Sequence, residues 1–182
     1  MFTNKKSFTY LTFAALFLAA GLITACSDDS PVSVEDELRS QSYSYAFNEG
    51  QAIGDDETAY RGEHDRNLGA EIIIEERGDG NADVTVRLSN TVSGENYPVH
   101  AHDMADPETT PNGTPYNETP NGDVFAGGVM ASGMSGTADN ISPMSFNELT
   151  RDYEGFFVVH DPLQDISTTD LTTYLILGLT AR

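Results

Sequence analysis

The spacing of apolar and polar residues predicts β-strands after residue 42. Aromatic residues occupy every second position in 43–48, and aliphatic residues do the same in 84–88. A period of two places such residues on one face of a strand. The segment 70–75, AEIIIE, is short and β-branched, as strands favour. Gly78-Asp79-Gly80-Asn81, between the last two runs, can supply the positive φ angles of a turn, so a hairpin is predicted there.

Five later segments have the same character and are predicted as strands: 97–102, 124–131, 144–149, 155–160 and 173–180. Residues rich in Gly, Pro, Asn and Asp separate them, and after the first segment no window of a dozen residues has a helical stripe. Many short strands in a chain of this size predict one all-β domain over 43–182, a sandwich or a barrel. The stretch 103–123, with four prolines, is predicted to be a long loop, and such loops are usually functional or mobile.

The first segment has the order of a secretion signal. Lys5 and Lys6 form a basic head, an apolar run covers 8–23, and Ile23-Thr24-Ala25-Cys26 follows. This ending resembles the lipobox cut by lipoprotein signal peptidase. The resemblance implies that residues 1–25 are removed and that Cys26 becomes the acylated first residue of the mature chain, held in the lipid bilayer. An ordinary signal peptide with an incidental cysteine is the alternative.

Residues 26–42 are predicted to be an acidic, flexible tether between the lipid and the domain. Cys26 is the only cysteine of the chain, so no intramolecular disulfide can form. Ser27-Asp28-Asp29-Ser30 resembles the acidic export signal of surface lipoproteins in the Bacteroidota, and a solvated charge cluster is the alternative. The predicted location is the cell envelope, at the outer membrane, facing either the periplasm or the outside.

The chain is strongly acidic, with 9 basic and 29 acidic residues. Residues 1–25 contain two lysines and no acid, so their removal leaves 7 basic and 29 acidic residues and a formal charge of −22. A charge of this sign argues against nucleic acid and against anionic lipid surfaces as partners. The acidic residues are scattered, which is typical of a solubilising surface.

The histidines are candidate metal ligands. His100 and His102 end a predicted strand, where side chains two apart share a face about 7 Å apart at ~3.3 Å per residue. His160 ends another apolar run, which is predicted to lie beside the first in the barrel wall. Three neutral imidazoles suit copper or zinc, with copper favoured by intrinsic affinity. His64 lies among charged residues and is expected to be solvated.

The order of several motifs is similar to that of the copper-zinc superoxide dismutase family. The matching pieces, in chain order over 43–182, are Gly78-Asp79-Gly80, Val84-Thr85-Val86, Gly94, His100-Ala101-His102-Asp103, Gly155 to Asp161, and Leu177-Gly178-Leu179. The most specific of these are the HxH and VVH motifs at their proper separation. The resemblance implies an antiparallel Greek-key β-barrel in which His100, His102 and His160 are copper ligands.

The sequence also departs from the family pattern. No histidine occurs between His102 and His160, so the bridging histidine and both remaining zinc histidines are missing. Asp123 matches the zinc aspartate but would be alone, so zinc is not expected. Gln164 stands near the aspartate that links the two metal shells, and no arginine lies between Arg151 and Arg182 to guide superoxide. No catalytic residue beyond the metal ligands is identified.

Two function classes follow from these residues. The first is a copper-binding, dismutase-like lipoprotein, with superoxide or a copper ion as its partner and either slow dismutation or copper buffering as its role. The second is a metal-free β-barrel acting in adhesion or assembly at the cell surface. Met104, two residues beyond His102, is a weak additional candidate ligand because a thioether favours Cu(I); methionines are more often packing residues.

Overall fold

The computed structural model of this protein describes residues 37–48, 60–111, 113–167 and 170–180. Within these ranges the regular secondary structure is mostly β-strand, with little helix. The strands are β1 Ser40–Ala46, β2 Gly69–Glu76, β3 Ala82–Ser89, β4 Asn96–Asp103, β5 Ala126–Ser132, β6 Ser135–Ser142, β7 Gly155–His160 and β8 Tyr174–Leu179. The helical elements of these ranges are a π-helical turn, Glu148–Asp152, and a 3-10 turn, Leu171–Thr173. The prediction of an all-β domain is confirmed.

The strands form one antiparallel sheet in the order β1-β2-β3-β6-β5-β4-β7-β8. In this order β3 lies beside β6, and β7 lies beside β4, so two overlapping sets of four strands have Greek-key connections. The outer strands approach each other. The Asn48 amide donates to the Leu175 carbonyl at 2.8 Å, and the Tyr45 hydroxyl donates to the Leu179 carbonyl at 3.1 Å. The sheet therefore curls into a nearly closed barrel.

The predicted hairpin joins β2 to β3. Ile74 pairs with Val84 across the two strands, which places both in the barrel interior. Gly80, in the turn, has a φ of +91°, a left-handed conformation that glycine adopts without steric penalty. The Arg77 guanidinium spans the turn and lies 2.8 Å from the Asp83 carboxylate. The hairpin prediction is confirmed, with the turn one residue wider at its start.

The interior of the barrel is filled by alternate residues of every strand. The core residues with no exposed surface include Val84, Val86, Tyr97, Val99, Ala101, Val129, Leu175 and Ile176. Each of these alternates with a residue facing outward or lies at a bulge, as period-two strands require. This alternation fixes which side chains of β4 and β7 can form an external site.

The prediction of a strand at 144–149 is wrong, because this segment leads into the π-helical turn Glu148–Asp152. The Ser145 hydroxyl accepts from the Glu148 amide at 3.3 Å, and the Glu148 carboxylate accepts from the Ser145 amide at 2.7 Å. This reciprocal pair is a capping box, a helix-start signal formed by Ser and Glu three residues apart. The apolar residues Phe146 and Leu149 pack into the barrel core from this turn.

The strand β6 was not predicted from the sequence, because its residues, SGTADNIS, are small and polar. A β-carbon at Gly136 would lie 2.8 Å from the Met130 carbonyl oxygen of β5. The close approach of the two backbones therefore requires glycine at this position. Because the inward positions of β6 hold small residues, its sequence lacks the alternation of large apolar and polar residues from which the other strands were predicted.

Candidate metal centre

Strand geometry places His100 and His102 on the outer face of the barrel. Val99 and Ala101 alternate with them in β4, and both are fully buried in the core. Because successive side chains of a strand point to opposite faces, the two histidines point away from the core together. His102 is nonetheless buried, with 5% of its surface exposed, whereas His100 is half-buried.

The strand β7 brings His160 to the same face. It pairs antiparallel with β4, with Phe156 opposite His102 and Val158 opposite His100. Val159 packs in the barrel core, so His160, which follows it, lies on the outer side. The pairing of β7 with β8 shifts register between Val159 and His160. The prediction that the strand of His160 lies beside the strand of His100 and His102 is confirmed.

The imidazole ring of His100 lies close to the rings of His102 and His160. The ring centroid of His100 is 5.9 Å from that of His102 and 5.1 Å from that of His160. With a metal–nitrogen bond of ~2.0–2.1 Å and about 1.1 Å more to the ring centre, two rings on one ion have centroids at most about 6.4 Å apart. Both separations fall inside this limit, so the ring of His100 is close enough to each of the other two for a shared ion.

The side chains are not arranged as a finished site. Within the described ranges, no three His, Cys, Asp or Glu side chains are placed so that they could hold a metal ion as they stand. The χ2 torsion of histidine is broad, so an imidazole can turn within its rotamer. Ligation by all three histidines therefore requires the side chains to move from the positions described here.

His102 has a fixed tautomer. Its Nδ1 lies 2.8 Å from the carbonyl oxygen of Asn117, and because a carbonyl only accepts, Nδ1 carries the proton and Nε2 keeps a lone pair. Burial lowers the pKa of His102, while the bond to Asn117 and the carboxylates of Glu118 and Asp103 act in the opposite direction. The ring is neutral at pH 7. A backbone carbonyl that orients a histidine through its second nitrogen is typical of metal ligands.

His160 is a buried histidine whose hydrogen-bonding capacity is unused. It is 3% exposed, and neither Nδ1 nor Nε2 has a hydrogen-bond partner among the described residues. Burial, together with the nearby His100 and His102, lowers the pKa of His160 to about 3. A buried polar group without a partner costs about 1–3 kcal/mol, and native proteins retain few of them. A bound ligand would satisfy a nitrogen of this ring.

A second, external hydrophobic cluster surrounds the histidines. Its buried members are Tyr116, Phe156, Val158, Tyr174 and Leu177. The ring centroid of Tyr116 lies 5.1 Å from that of His102, and the centroid of Tyr174 lies 4.6 Å from that of His160. Tyr116 belongs to the loop 103–123, which covers this wall of the barrel. The loop therefore lies over His102.

The weaker candidate residues lie at the margin of this region. Met104 is 45% exposed, forms a backbone bridge with Tyr116, and borders a surface hollow with Met144 and Glu148. Asp123 is exposed, and its amide donates to the side-chain oxygen of Asn121 at 3.0 Å. Neither contact places these residues among the three rings, and their metal-binding roles stay predictions. Cys26 and the segment 1–25 lie outside the described residues.

The expectation that His64 is solvated is wrong. His64 is 3% exposed; its Nδ1 lies 2.7 Å from the Asp65 carbonyl, and its Nε2 lies 2.6 Å from the Tyr97 hydroxyl. The carbonyl can only accept, so Nδ1 donates and Nε2 accepts from Tyr97. Charged neighbours in the sequence therefore did not predict exposure, because the histidine itself turns inward and caps the barrel core.

Gln164 is an exposed residue that bonds to a buried carboxylate next to His160. Its side-chain amide donates to the Asp161 carboxylate at 2.6 Å, and the Tyr60 hydroxyl donates to the same oxygen at 2.6 Å. Asp161 is 2% exposed. These bonds satisfy the carboxylate without a metal ion.

Sequence reasoning missed the residues that build the cover, Tyr116, Asn117 and Tyr174. One signal for them was available in β7, whose residues GFFVVH are apolar at both odd and even positions. A strand that is apolar on both faces is buried on both faces. The outer face of β7 therefore required another segment to cover it.

Comparisons with known proteins found no similarity. No protein-family model matches the chain, and neither a curated protein nor a solved structure matches it. In the described ranges, the search for membrane spans found no helix of sufficient length and apolarity.

Proposed function

We propose that this chain is a copper-binding, superoxide dismutase-like lipoprotein of the bacterial envelope, with His100, His102 and His160 as the copper ligands. The observation that carries the proposal is His160. It is a buried, neutral imidazole with two unpartnered nitrogens among the described residues, and its neighbours are two more histidines. A structural histidine is expected to use its nitrogens, as His64 does.

Copper fits these donors better than zinc does. For a given set of nitrogen ligands, copper binds more tightly than zinc among the divalent first-row metals. Structural zinc sites almost always have four protein ligands, and Asp123, the candidate for a further oxygen ligand, is exposed in a turn. One copper ion and no firmly held zinc are therefore expected.

The role we favour is copper buffering, with at most slow superoxide dismutation. A mature chain with a formal charge of −22 repels an anionic substrate, and steering effects change association rates by ~10–1000-fold. The charged side chains that act on His102 are Glu118 and Asp103, both acidic. The loop 103–123 also covers His102 through Tyr116 and Asn117.

Copper loading of the purified full-length chain tests the proposal. After loading with copper and removal of unbound metal, elemental analysis should find about one copper per chain. His102→Ala should weaken binding at least about 100-fold, since changes in outer-shell groups alone weaken metal affinity 10–100-fold. His64→Gln is the matched control because it changes a buried histidine outside the cluster, and it should keep the copper.

The outcome that rejects the proposal is equally specific. If the wild type retains no more copper than the variant with alanine at 100, 102 and 160, and both have the same far-UV circular dichroism, the histidines do not form a metal site. The alternative of a metal-free surface protein acting in adhesion or assembly then takes its place.

The lipid anchor is proposed from Cys26. Cys26→Ser should release the protein from the membrane fraction or leave it as an unprocessed precursor, because the diacylated thiol is the anchor. Fractionation and mass spectrometry of the N-terminus measure both results. Unchanged processing together with unchanged membrane association would reject the lipobox interpretation.

A further inference from the structure

We propose that a groove on the wall formed by β1, β2, β3 and β6 binds an acidic oligosaccharide, and that a carboxylate of this ligand pairs with Arg66. The groove shares no residue with the histidine cluster, so the inference is independent of the proposed copper site. It is drawn from the shape of the groove, the surroundings of Arg66 and the polar side chains along the border.

Two neighbouring hollows form the groove. One has a volume of about 590 Å³ and lies between the end of β1 and the residues before β2; the other has about 600 Å³ and crosses β2, β3 and the start of β6. They share Ser44, Tyr45 and Gly69, so they are continuous. Gly69 pairs with Ala46 on one side and with Ser89 on the other, so small residues form the floor. Across four strands ~4.8 Å apart, the groove extends for about 14 Å.

Arg66 is held in place but is not neutralised. Its guanidinium carbon lies 5.9 Å from the centre of the Phe47 ring and 5.5 Å from that of the Tyr60 ring, and its Nη1 donates to the Tyr60 carbonyl at 3.2 Å. The ion pairs among the described residues involve three other arginines, Arg39, Arg77 and Arg87. A guanidinium fixed in this way keeps further N–H groups for a carboxylate, which it can bind with two parallel hydrogen bonds.

The charge of the groove is opposite in sign to that of the chain. Its lining contains the two guanidinium groups of Arg66 and Arg87 and the one carboxylate of Glu71, so its formal charge is +1, whereas the whole chain has −20. Arg87 lies 3.6 Å from Glu71, which is too long for a hydrogen bond. The field of more distant acidic residues is screened beyond ~8 Å at physiological ionic strength. An anionic group is therefore better accommodated in the groove than on the rest of the surface.

The border of the groove suits a sugar better than a peptide. It carries exposed hydroxyl groups, those of Ser44, Ser89, Ser135 and Thr137. The backbone groups beneath them are paired in the ladders of β1, β2, β3 and β6, so a peptide backbone finds no strand edge to extend on this floor. A polyhydroxylated ligand can bond to the side chains instead, and the half-buried Phe47 offers apolar surface to a sugar ring.

Calorimetry with a defined saccharide tests the inference. Full-length protein in a neutral detergent, at a salt concentration of ~150 mM, is titrated with the trisaccharide of galacturonic acid. The methyl ester of the same trisaccharide, which has a similar shape and no charge, is titrated separately. The acidic form should bind at least about 10-fold more tightly, because hydrogen bonds to a charged group are the stronger ones.

Variants in and outside the groove locate the binding. Arg66→Gln should weaken binding of the acidic trisaccharide at least about 10-fold and change that of the ester by less than about twofold. Arg66→Lys keeps the charge but not the planar fork, and its affinity should lie between those of Arg66→Gln and the wild type. Ser135→Phe fills part of the floor and should weaken binding of both saccharides. Arg151→Gln, which removes an exposed arginine of the π-helical turn Glu148–Asp152, is the matched control and should change neither.

The possible results decide the inference without involving the metal. Copper content should be the same in Arg66→Gln as in the wild type, so the two proposals are tested separately. If the folded wild type binds neither saccharide, or binds the acid and the ester equally, the inference is overturned. If a glutamate-rich peptide binds more tightly than the acidic trisaccharide and loses affinity in Arg66→Gln, the groove is a peptide site and the saccharide assignment is wrong.

Discussion

His64 and His160 are both buried histidines, but they differ in the hydrogen bonding of their ring nitrogens. At His64 the Asp65 carbonyl and the Tyr97 hydroxyl bind the two ring nitrogens at 2.7 and 2.6 Å. At His160 neither nitrogen has a partner among the described residues, and the adjacent rings are those of His100 and Tyr174. Burial alone therefore does not identify a ligand. What distinguishes the two sites is whether the protein itself uses the lone pairs and protons of the ring.

The two histidines also lie in different parts of the barrel, one at its core and one on its outer wall. His64 completes the core of the barrel through Tyr97, whose hydroxyl also accepts from the Val92 amide at 2.7 Å. His160 lies on the outer wall of β7, and Tyr116 of the loop 103–123 packs on this wall against Phe156. On the opposite wall, among the residues that the structure describes, the Thr85 hydroxyl of β3 donates to the Asp139 carboxylate at 2.7 Å in an exposed position. An outer wall that is both apolar and covered is thus a local construction around the histidines.

The largest effect is expected from removal of the cover. Tyr116→Ala should lower the free energy of unfolding by about 3–5 kcal/mol, the range for loss of a large buried aromatic side chain. It should also let a competing chelator remove bound copper at least about 10-fold faster, because Tyr116 closes the side of His102. Urea denaturation of the copper-free protein and stopped-flow chelation measure the two effects.

Conservative and distant variants serve as controls for the cover. Tyr116→Phe keeps the buried ring and should stay close to the wild type in chelation rate. Thr119→Ala changes an exposed residue of the same loop and should alter neither property. Equal chelation rates in wild type and Tyr116→Ala would show that the loop does not protect the site.

His64→Leu tests the structural member of the comparison. The change leaves the Tyr97 hydroxyl without its acceptor and the Asp65 carbonyl without its donor, and each loss costs about 1–3 kcal/mol. The free energy of unfolding should fall by about 2–4 kcal/mol, while the copper content of the folded protein stays the same. Loss of copper from folded His64→Leu protein would contradict the separation of the two regions.

His160→Leu tests the other member, and its effect on stability should have the opposite sign. Leucine fills a similar volume and removes two unsatisfied buried nitrogens, so the copper-free protein should gain about 1–2 kcal/mol of stability. The same variant should lose high-affinity copper binding. Thermal unfolding with and without copper measures both, and a clear destabilisation of the copper-free variant would mean that the ring has a structural role.

The predictable parts of the fold are those in which the buried positions hold large apolar side chains. The run 70–75 and the alternation in 84–88 show their inward residues directly, and the turn between them contains Gly80. The strand β6 was not predictable in this way, because its inward positions hold residues as small as Gly136. The helical turn after Ser145 was not predicted. The apolar residues of this segment indicated a strand, and the capping box formed by Ser145 and Glu148 was overlooked.

The candidate site was predictable only in part. His100 and His102 share a face by strand geometry alone, and the apolar run before His160 indicated a neighbouring strand. The hydrogen bond from His102 to Asn117 depends on how a proline-rich loop folds back, which no local pattern encodes. The burial of His64 depends on long-range packing against Tyr97, and its charged sequence neighbours pointed the other way.

The smallest effect is expected where water replaces a lost bond, at the ion pair of Glu76. Its carboxylate lies 2.6 Å from the Arg39 guanidinium on the surface, and this bond lowers the pKa of Glu76 to about 2. A lowered pKa stabilises the folded state above the ordinary pKa near 4.5, and this contribution is lost as the pH falls toward 2. Glu76→Gln should therefore lower the melting temperature slightly at pH 7 and not at pH 2. Exposed pairs contribute little, so Glu71→Gln, beside Arg87 at 3.6 Å, is a matched control with an even smaller effect. A loss of folding stability in Glu76→Gln as large as that in His64→Leu would contradict this prediction. It would show that a lost hydrogen bond costs as much at the surface as in the interior, and the contrast between His64 and His160 would then lose its physical basis.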